Sequence, residues 1–299
     1  MPSEGLNWVP RNELLSFEEI DKLLTIFSGL GITKLRFTGG EPFLRKDFMQ
    51  LLRSVSEKNL FEKISITTNG TLTAPYVAEL KALGVHAVNL SVDTFDEERF
   101  QLMTRRNDFT AVMKTFELLL AHDITTKINA VIMEGKNEKD ILPLVAITEK
   151  LPVDVRFIEE MPFNGHGDSH AIRWTAKNLI EHIRNHHPSL KKVADEANST
   201  SMNYNIDGHQ GNVGVIAAWS RSFCGTCNRI RLTPKGSMKT CLYDDGQLSL
   251  RDLLRGGMSA EAISEKIRMA VGNRAIDGRE AEKLRNNYPV QESMATIGG

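Results

Sequence analysis

The sequence has few cysteines, no excess of charge of either sign and no long apolar segment. Its 37 Lys and Arg residues against 38 Asp and Glu leave a formal net charge of -1, which argues against non-specific binding to nucleic acid or to an anionic membrane. No run of about 18 apolar residues is present, so no membrane-spanning helix is predicted. The first residues lack the pattern of a signal peptide, and we expect a cytoplasmic protein.

The remaining composition is typical of an ordinary globular protein. With 41% hydrophobic and 25% charged residues, a chain of 299 residues is long enough for one large domain or two. Small polar residues cluster at Ser199-Thr200-Ser201. This break predicts a boundary between a first domain of residues 1–198 and a second domain of residues 199–299.

Helix and strand patterns alternate through the first domain. A capping box at Ser16-Phe17-Glu18-Glu19 predicts the start of a helix. At about thirty-residue spacing, separated by helical patterns, strands are predicted at 34–38, 63–68, 87–93, 127–133 and 154–161. This order predicts right-handed crossovers and a parallel α/β sheet, either open or curved as a barrel.

The second domain is predicted to contain shorter elements. Strands are expected at 202–206 and 212–219, and helices at 249–254 and 260–271. Residues 275–299 are expected to be poorly structured.

Each predicted strand of the first domain finishes in polar residues: Thr38 and Glu41, Thr67 to Asn69, Ser91 and Asp93, Asn129, and Glu159 with Glu160. The carboxyl ends of the strands form the active-site face in barrel-like folds, so we expect these residues around one opening. The alternative for any one of them is that it caps the following helix.

Three cysteines, Cys224, Cys227 and Cys241, lie within eighteen positions of one another, and the chain has no others. A hairpin through residues 233–237 predicts that the third approaches the Cys-x2-Cys pair. A 4Fe–4S cluster with one open iron suits three soft thiolates. Zinc normally needs a fourth ligand such as His209. Zinc and metal-free cysteines remain alternatives, and the odd number favours a reducing compartment.

Two arginines follow the second cysteine at alternating positions. In a predicted strand over residues 229–233, Arg229 and Arg231 lie on the same face. Two fixed positive charges beside a metal are suited to binding a phosphate chain. The alternative is a solvated strand face.

The ordered motifs resemble the GTP 3′,8-cyclases of molybdenum cofactor biosynthesis over essentially the whole chain. They are Thr38-Gly39-Gly40-Glu41-Pro42, Thr67-Thr68-Asn69-Gly70, Ser91-Val92-Asp93, Arg156-Phe157-Ile158-Glu159, Cys224-x2-Cys227-x13-Cys241 and the terminal Gly298-Gly299. The first motif alone is typical of the whole radical S-adenosylmethionine superfamily. The three-cysteine motif with Arg229 and Arg231 narrows the resemblance to the cyclases.

The resemblance implies an incomplete (β/α)6 barrel, here without its first strand, and a C-terminal region that binds a 4Fe–4S cluster. The implied cluster ligands are Cys224, Cys227 and Cys241. The residues implied to bind S-adenosylmethionine are Gly40, Glu41, Ser91 and Met161. Those implied to bind GTP are Arg36, Thr67, Lys127, Arg156, Arg229, Ile230 and Arg231. Among the implied catalytic residues are Arg229 and Arg231, together with Gly298 and Gly299 in a tail that reaches the active site.

The implied reaction converts GTP to (8S)-3′,8-cyclo-7,8-dihydroguanosine 5′-triphosphate. A radical derived from S-adenosylmethionine takes the 3′ hydrogen, and the ribose carbon then joins C8 of guanine. The implied partners are a reducing electron donor and the next enzyme of the molybdopterin pathway. A homodimer is a further possibility.

The chain departs from the family pattern at its start. Family members carry a strand and a Cys-x3-Cys-x2-Cys loop, which binds a second 4Fe–4S cluster, immediately before the Met-Pro with which this sequence begins. We therefore expect a start codon assigned too late or a truncated record, and a shortened chain that is inactive alone. The alternatives are a non-catalytic protein that binds GTP and a cluster, and a zinc-stabilised interaction module.

Overall fold

The computed structural model describes residues 10–161, 172–246 and 248–284. In these ranges the α-helices are α1 Phe17–Gly29, α2 Phe48–Glu57, α3 Val77–Ala82, α4 Glu97–Thr104, α5 Phe109–Ala121, α6 Ile141–Lys150, α7 Ala176–His186, α8 Leu250–Arg255, α9 Ala260–Gly272 and α10 Gly278–Lys283. The strands are β1 Lys34–Phe37, β2 Lys63–Thr68, β3 Val85–Ser91, β4 Thr125–Ile132, β5 Asp154–Glu159, β6 Lys191–Lys192, β7 Ser201–Asn205, β8 Asn212–Ile216, β9 Arg231–Leu232, β10 Ser237–Lys239 and β11 Leu248–Ser249.

The described residues form two compact units. The first unit contains residues 10–64, 228–246 and 248–284, and the second contains residues 65–161 and 172–227. The predicted boundary at residue 198 falls inside the second unit, between β6 and β7. The division into a barrel domain and a cluster-binding domain therefore stays a prediction about function.

A sheet forms the centre of the second unit. From Ser65 of β2 onward, its strands follow the order β2-β3-β4-β5-β8-β7-β6. β3, β4, β5 and β8 are parallel, with Asn89 opposite Lys127, Asn129 opposite Arg156, and Arg156 opposite Gly214. The predicted parallel α/β arrangement is confirmed. Sequence patterns assigned β8 to the second predicted domain, whereas it extends the parallel sheet beside β5.

Alternate residues of these strands lie on opposite faces of the sheet. One face is apolar, and Leu90, Ile128, Phe157 and Val215 are fully buried there in one core cluster with residues of the helices. The other face carries polar residues at the intervening positions. We call this second surface the inner face. Packing fixes the register of the strands, because a shift of one residue would bring the polar side chains into the core.

The first unit begins with the capped helix that the sequence predicts. Ser16 Oγ accepts the Glu19 N–H at 3.2 Å, and the Glu19 carboxylate accepts the Ser16 N–H at 2.7 Å. The predicted hairpin is also present, since β9 and β10 pair antiparallel with Lys239 opposite Arg231. Its turn requires glycine at Gly236, where φ is +83°.

The two ends of the described chain meet within the first unit. The Arg255 guanidinium donates to both carboxylate oxygens of Glu19, at 2.6 and 3.0 Å, and to the carbonyl oxygens of Asn12 and Leu14. The Leu15 N–H donates to the Pro234 carbonyl oxygen at 2.9 Å. These contacts hold the segment before α1 against α8 and the hairpin.

Two local predictions are wrong. The strand predicted over residues 229–233 is limited to Arg231–Leu232, because the register with the three-residue β10 leaves Arg229 outside the ladder. Within the region expected to be poorly structured, Gly278–Lys283 is helical, and Asp277 caps it by accepting the N–H groups of Arg279 and Glu280. The predicted catalytic residues Gly298 and Gly299 lie outside the described residues.

None of the helices within the described ranges has the length and apolar character needed to cross a membrane.

Candidate functional site

The predicted site residues are divided between the two units. The first unit contains Arg36, Gly40, Glu41, Arg229, Ile230, Arg231 and Cys241. The second contains Thr67, Ser91, Lys127, Arg156, Met161, Cys224 and Cys227. Each group is described within its own unit.

The Thr67-Thr68-Asn69-Gly70 motif forms a fixed turn at the end of β2. Thr68 Oγ1 accepts the Gly70 N–H at 3.0 Å and lies 2.8 Å from Thr73 Oγ1. Gly70 has φ +81°, and a Cβ atom there would lie 2.6 Å from Leu90 Cδ1. Since both the backbone conformation and the space require glycine, the motif fixes the point at which the chain leaves β2 after Thr68, next to Thr67.

Asn89 links three strands of the inner face. Its Oδ1 accepts a hydrogen bond from the Arg156 guanidinium of β5. Its Nδ2 lies 3.3 Å from Thr67 Oγ1 and 3.4 Å from the Ile66 carbonyl oxygen, both on β2. Asn89 is only 2% exposed and Arg156 only 8%, so their polar groups depend on protein partners rather than bulk water.

Gly214 provides the space in which the Arg156 side chain lies. A Cβ atom at Gly214 would be 2.7 Å from Arg156 Cγ and 2.3 Å from Ser201 Oγ. Arg156 extends from β5 past β4 to reach Asn89 on β3. An alanine at position 214 would therefore displace the arginine.

Lys127 of the inner face has a nearby counter-charge. Its Nζ lies 3.3 Å from Asp154 Oδ2, and Asn212 donates to the other oxygen of the same carboxylate at 3.0 Å. The Lys127 and Asp154 side chains are 32% and 30% exposed, so solvent screens the ion pair. The ammonium group remains accessible to an anionic ligand.

Ser91 is the last residue of β3 and Asp93 follows the strand, but their surroundings differ. Ser91 is exposed at the end of the strand, where a ligand can contact it. Asp93 Oδ1 accepts the Val131 N–H at 2.8 Å and so joins the ends of β3 and β4. Burial raises the pKa of Asp93 to about 6; the Val131 hydrogen bond opposes this effect and the negative charge of Asp140 adds to it.

The expectation that Glu159 lies at the opening is wrong. It is 1% exposed, and its carboxylate accepts the Ala176 N–H at the start of α7 and the Ser220 N–H, at 2.6 and 2.7 Å. The alternation of β5 puts Glu159 on the same face as Phe157, toward the helices. Glu159 caps a helix, which is the alternative that the sequence left open.

Positive charge is concentrated in the first unit around Arg36 of β1. The solvent-accessible area of Arg36 is that of an exposed residue, yet the protein around its guanidinium partly desolvates it. This burial, followed by repulsion from Arg229, lowers the pKa of Arg36. Two like charges close enough to affect one another create a local potential that favours an anion.

The Gly39-Gly40-Glu41-Pro42 motif makes a tight turn after β1. Gly39 has φ +128°, and the Glu41 carboxylate accepts the Phe43 N–H at 3.3 Å at the start of a short helix, Pro42–Leu44. Glu41 is buried, at 8% exposure. Its predicted contact with S-adenosylmethionine stays a prediction.

A buried carboxylate organises the turn that carries Cys241. Asp244 Oδ2 accepts the N–H groups of Thr240 and Cys241, at 2.7 and 2.8 Å, and the Thr240 hydroxyl at 3.0 Å. Asp244 Oδ1 accepts the Gly246 N–H at 3.0 Å. Four donors on one carboxylate that is 6% exposed fix the backbone from which the Cys241 thiol projects.

The other two cysteines lie on one turn of the second unit. Cys224–Thr226 is a short 3₁₀ helix, and the Cys227 N–H donates to the Cys224 carbonyl oxygen at 3.2 Å. All three cysteines are outside disulfides and of intermediate exposure, and three thiols are a donor set whose chemistry fits iron–sulfur ligation. Across the described ranges, no three His, Cys, Asp or Glu side chains form a group that could hold a metal ion. A site shared by all three cysteines therefore stays a prediction.

Sequence reasoning missed Asn89 and Asp244 as parts of the site. Asn89 lies two positions before Ser91 in a strand, a spacing that puts both residues on one face. Asp244 lies three residues after Cys241 and two before Gly246, which is a pattern typical of a side chain that closes a turn. Their partners on other strands and in the turn are evident only in the folded chain.

Two family models match the chain. The model for the Radical SAM superfamily matches residues 3–146, and the model for Molybdenum Cofactor Synthesis C matches residues 153–278.

Curated relatives extend the similarity to the full chain. The GTP 3′,8-cyclase of Clostridium botulinum is 34% identical over 300 residues, covering 100% of this chain and 92% of the relative. Molybdenum cofactor biosynthesis protein moc-5 of Caenorhabditis elegans is 36% identical over 302 residues, again covering 100% of this chain. The chain spans only 50% of the length of that nematode relative.

A solved structure shares the fold. The chain is similar to SuiB of Streptococcus suis bound to S-adenosylmethionine, with a TM-score of 0.61 and 17% identity over 88% of this chain and 62% of that one. At this identity the likeness concerns the fold alone.

Proposed function

The chain belongs to the GTP 3′,8-cyclase family of radical S-adenosylmethionine proteins, and we propose on that premise that the protein converts GTP to (8S)-3′,8-cyclo-7,8-dihydroguanosine 5′-triphosphate in molybdenum cofactor biosynthesis. The observation that carries the proposal is the 34% identity to the clostridial GTP 3′,8-cyclase over nearly the full length of both chains. The two cationic regions support a triphosphate substrate, because one gathers like charges and the other offers an accessible lysine.

In this proposal the residues of the first unit attract the anionic substrate. Arg36 and Arg229 already repel one another, and a phosphate group near both would relieve that repulsion. Arg231 is fixed in β9 by its pairing with β10, and Ile230 adds an apolar contact beside it. These side chains hold GTP by charge and shape.

The residues of the second unit orient the substrate through directed hydrogen bonds. Arg156 is held by Asn89, so its guanidinium keeps one orientation. Lys127 exchanges part of its interaction with Asp154 for one with the ligand. Thr67 adds a hydroxyl at the end of β2.

Cys224, Cys227 and Cys241 would hold a 4Fe–4S cluster, while Gly40, Glu41, Ser91 and Met161 would contact S-adenosylmethionine. When bound, these groups would supply one-electron chemistry, and the chain supplies binding, orientation and exclusion of water. The residues predicted to act in the tail, Gly298 and Gly299, remain part of this proposal. A second cluster, a reducing electron donor, the next enzyme of the molybdopterin pathway, a homodimer and a cytoplasmic location also stay predictions.

A second candidate function for these 299 residues is binding of GTP and one cluster without catalysis. It is favoured by the cysteine count, because three thiols suffice for one three-thiolate cluster. The two candidates share the GTP site and differ in whether S-adenosylmethionine is cleaved.

One anaerobic experiment tests both candidates. The chain is reconstituted with iron and sulfide and incubated with GTP, S-adenosylmethionine and a reductant. Bound GTP is measured by equilibrium dialysis, and 5′-deoxyadenosine and the cyclised nucleotide are measured by mass spectrometry. For the chain as given, both candidates predict bound GTP without products. When the Cys-x3-Cys-x2-Cys segment that family members carry is joined before Met1, catalysis predicts both products, whereas binding alone still predicts bound GTP without them.

A Cys241→Ser variant serves as the control for the metal. It is expected to lose bound iron and sulfide, and with them any product. A protein that does not bind GTP contradicts both candidates. Zinc in place of iron and sulfide would instead support the zinc-stabilised interaction module.

A further inference from the structure

We propose that Asn89 is a positioning residue that sets the hydrogen-bond polarity of Thr67, so that the Thr67 hydroxyl donates to an acceptor atom of the nucleotide. This inference rests on the proposed function and names a residue outside the implied site.

The direction of the hydrogen bonds begins at Arg156. A guanidinium has five N–H donors and no acceptor, so the Asn89 atom that faces it must be the carbonyl oxygen. This identifies the two ends of the amide from chemistry alone. The Asn89 NH2 group therefore faces β2.

The amide NH2 group carries two hydrogens and has two acceptors on β2. One is the Ile66 carbonyl oxygen at 3.4 Å, and the other is Thr67 Oγ1 at 3.3 Å. Because the nitrogen can only donate, Thr67 Oγ1 must act as the acceptor in this contact. The order of donors is thus Arg156 to Asn89 to Thr67.

This order of donors determines what the Thr67 hydroxyl hydrogen can bind. Since its oxygen already accepts from Asn89, the hydrogen is available for a different partner, and none accepts it among the residues the structure describes. Thr67 is only half-buried, so a ligand can reach it. The polarity favours a nucleotide oxygen or ring nitrogen and disfavours a ligand N–H at this point.

Burial makes this polarity stable. Asn89 is 2% exposed, and a flipped amide would face the guanidinium with another donor at close range. The buried chain therefore has one low-energy arrangement before the ligand arrives. Such preorganisation reduces the ordering that binding requires.

The Asn89→Asp substitution reverses the polarity with little change in shape. A carboxylate at position 89 still accepts a hydrogen bond from Arg156. Its second oxygen replaces the NH2 group of Asn89, so it accepts a hydrogen bond from the Thr67 hydroxyl where the NH2 group donated one. The hydrogen is then no longer available to the nucleotide. The new charge also neutralises part of Arg156, so the effect on Thr67 must be separated from this one.

A double-mutant cycle makes the separation. The affinity for GTP is measured by calorimetry for the original chain, for the Asn89→Asp and Thr67→Val variants, and for the double variant. Neutralisation of Arg156 by Asn89→Asp weakens GTP binding both with Thr67 present and in the Thr67→Val variant. Loss of the Thr67 donor weakens GTP binding only where Thr67 is present. We expect Asn89→Asp to weaken GTP binding about three- to tenfold more with Thr67 present than in the Thr67→Val background.

The controls distinguish positioning from general damage. Asn178→Asp makes the same exchange on the exposed side of α7, where Nδ2 donates to the Arg173 carbonyl oxygen, and it should bind GTP as the original chain does. Thr67→Ser keeps the hydroxyl and should retain most of the affinity. An equal loss on introducing Asn89→Asp in the two Thr67 backgrounds overturns the proposal.

A measurement without nucleotide separates this inference from the proposed function. In the full chain, the two NMR signals of the Asn89 side-chain amide are assigned by their disappearance in Asn89→Asp. We expect Thr67→Val to shift one of them strongly, because that hydrogen loses its acceptor. If neither signal moves, the inference is wrong whether or not GTP binds. If a signal moves but the original chain does not bind GTP, the order of donors from Arg156 to Thr67 stands, and the proposed function fails together with the nucleotide as acceptor.

Discussion

The two units use charge in opposite ways. In the first unit, the buried carboxylate of Asp244 accepts four hydrogen bonds, while Arg36 and Arg229 repel one another. In the second unit, Lys127 has a carboxylate 3.3 Å away, while the buried carboxylate of Asp93 has a raised pKa. Around these residues, the first unit therefore has a carboxylate with four donors and two cations that repel one another, whereas the second has a cation with a counter-charge and a carboxylate whose charge is disfavoured by burial.

This difference separates a residue that stabilises the fold, Asp244, from residues proposed to bind an anionic ligand, Arg36, Arg229 and Lys127. Asp244 stabilises a turn, whereas the repulsion between Arg36 and Arg229 is relieved by an anion. The Lys127–Asp154 pair contributes modestly to stability and gives Lys127 a partner until a ligand competes for it. Four substitutions test the contrast.

The largest effect is expected at Asp244. Asp244→Ala leaves the buried N–H groups of Thr240 and Cys241 without their acceptor, and we expect the free energy of unfolding to fall by about 3 kcal/mol. Urea unfolding of the metal-free chain measures the change. Asp244→Asn keeps the shape and one side-chain oxygen, so it should lose clearly less. Equal stability of the alanine variant and the original chain would contradict the role given to this carboxylate.

At Asp93, replacing the carboxylate with an amide should stabilise the protein. The folded carboxyl has a pKa of about 6, above the ordinary value of 3.8, so the folded state binds more protons between these values. The free energy of unfolding should therefore fall as the pH rises through this interval, and the penalty is complete above pH 6. Asp93→Asn should remove that fall and add about 2 kcal/mol at pH 7. A pH series of urea unfolding curves measures both effects.

The control for Asp93 is the pH series of the unchanged chain. Asn at position 93 still offers an oxygen to the Val131 N–H, so the β3–β4 connection persists. A variant less stable than the original chain at pH 7 would show that the carboxylate charge is needed there.

Removing one charge of the crowded pair should affect binding and spare the fold. We expect Arg229→Ala to weaken GTP binding about tenfold, because a charge-assisted contact is lost, and to lower the thermal midpoint less than Asp244→Ala does, because relief of the repulsion with Arg36 offsets other interactions that Arg229 loses. Calorimetry with GTP and thermal unfolding provide the two measurements. Arg229→Lys keeps the charge and should lie between the two proteins in affinity. A lower midpoint with unaltered affinity would reverse the interpretation.

The smallest effect is expected at Asp154. Asp154→Asn removes the counter-charge of Lys127 but keeps an oxygen for Asn212, and the free energy of unfolding should fall by about 1 kcal/mol or less. GTP should bind slightly more tightly, the opposite direction to Arg229→Ala. Asn212→Ala, which removes the neighbouring hydrogen bond without a charge, is the matched control. Weaker GTP binding in Asp154→Asn would contradict the view that the ligand competes for Lys127.

Local signals account for the parts that sequence predicted well. The Ser16 capping box, the hairpin turn at Gly236 and the alternating strands depend on residues within a few positions of one another. The α10 helix was missed because its Gly-Arg-Glu-Ala-Glu-Lys sequence has almost no apolar residues, although Asp277 is a recognisable cap.

Long-range pairing accounts for the parts that could not be predicted. The position of β8 beside β5 depends on contacts between residues more than fifty positions apart, which no periodicity reveals. The hydrogen bond between Asn89 and Arg156 spans 67 positions for the same reason. The motifs identified the implied site residues, but not the neighbours that orient them.

The contacts that Arg255 makes with Glu19, Asn12 and Leu14 have a consequence for the order in which the two units fold during synthesis. Asn12 is 243 residues away from Arg255, so the first unit cannot close until α8 has left the ribosome. The second unit comes from the stretch between residues 65 and 227 and can fold while the remainder is still being translated. The contacts of Asn12, Leu14 and Glu19 with Arg255 therefore wait for the last part of their own chain. A ribosome pause just before codon 250 would prolong that delay.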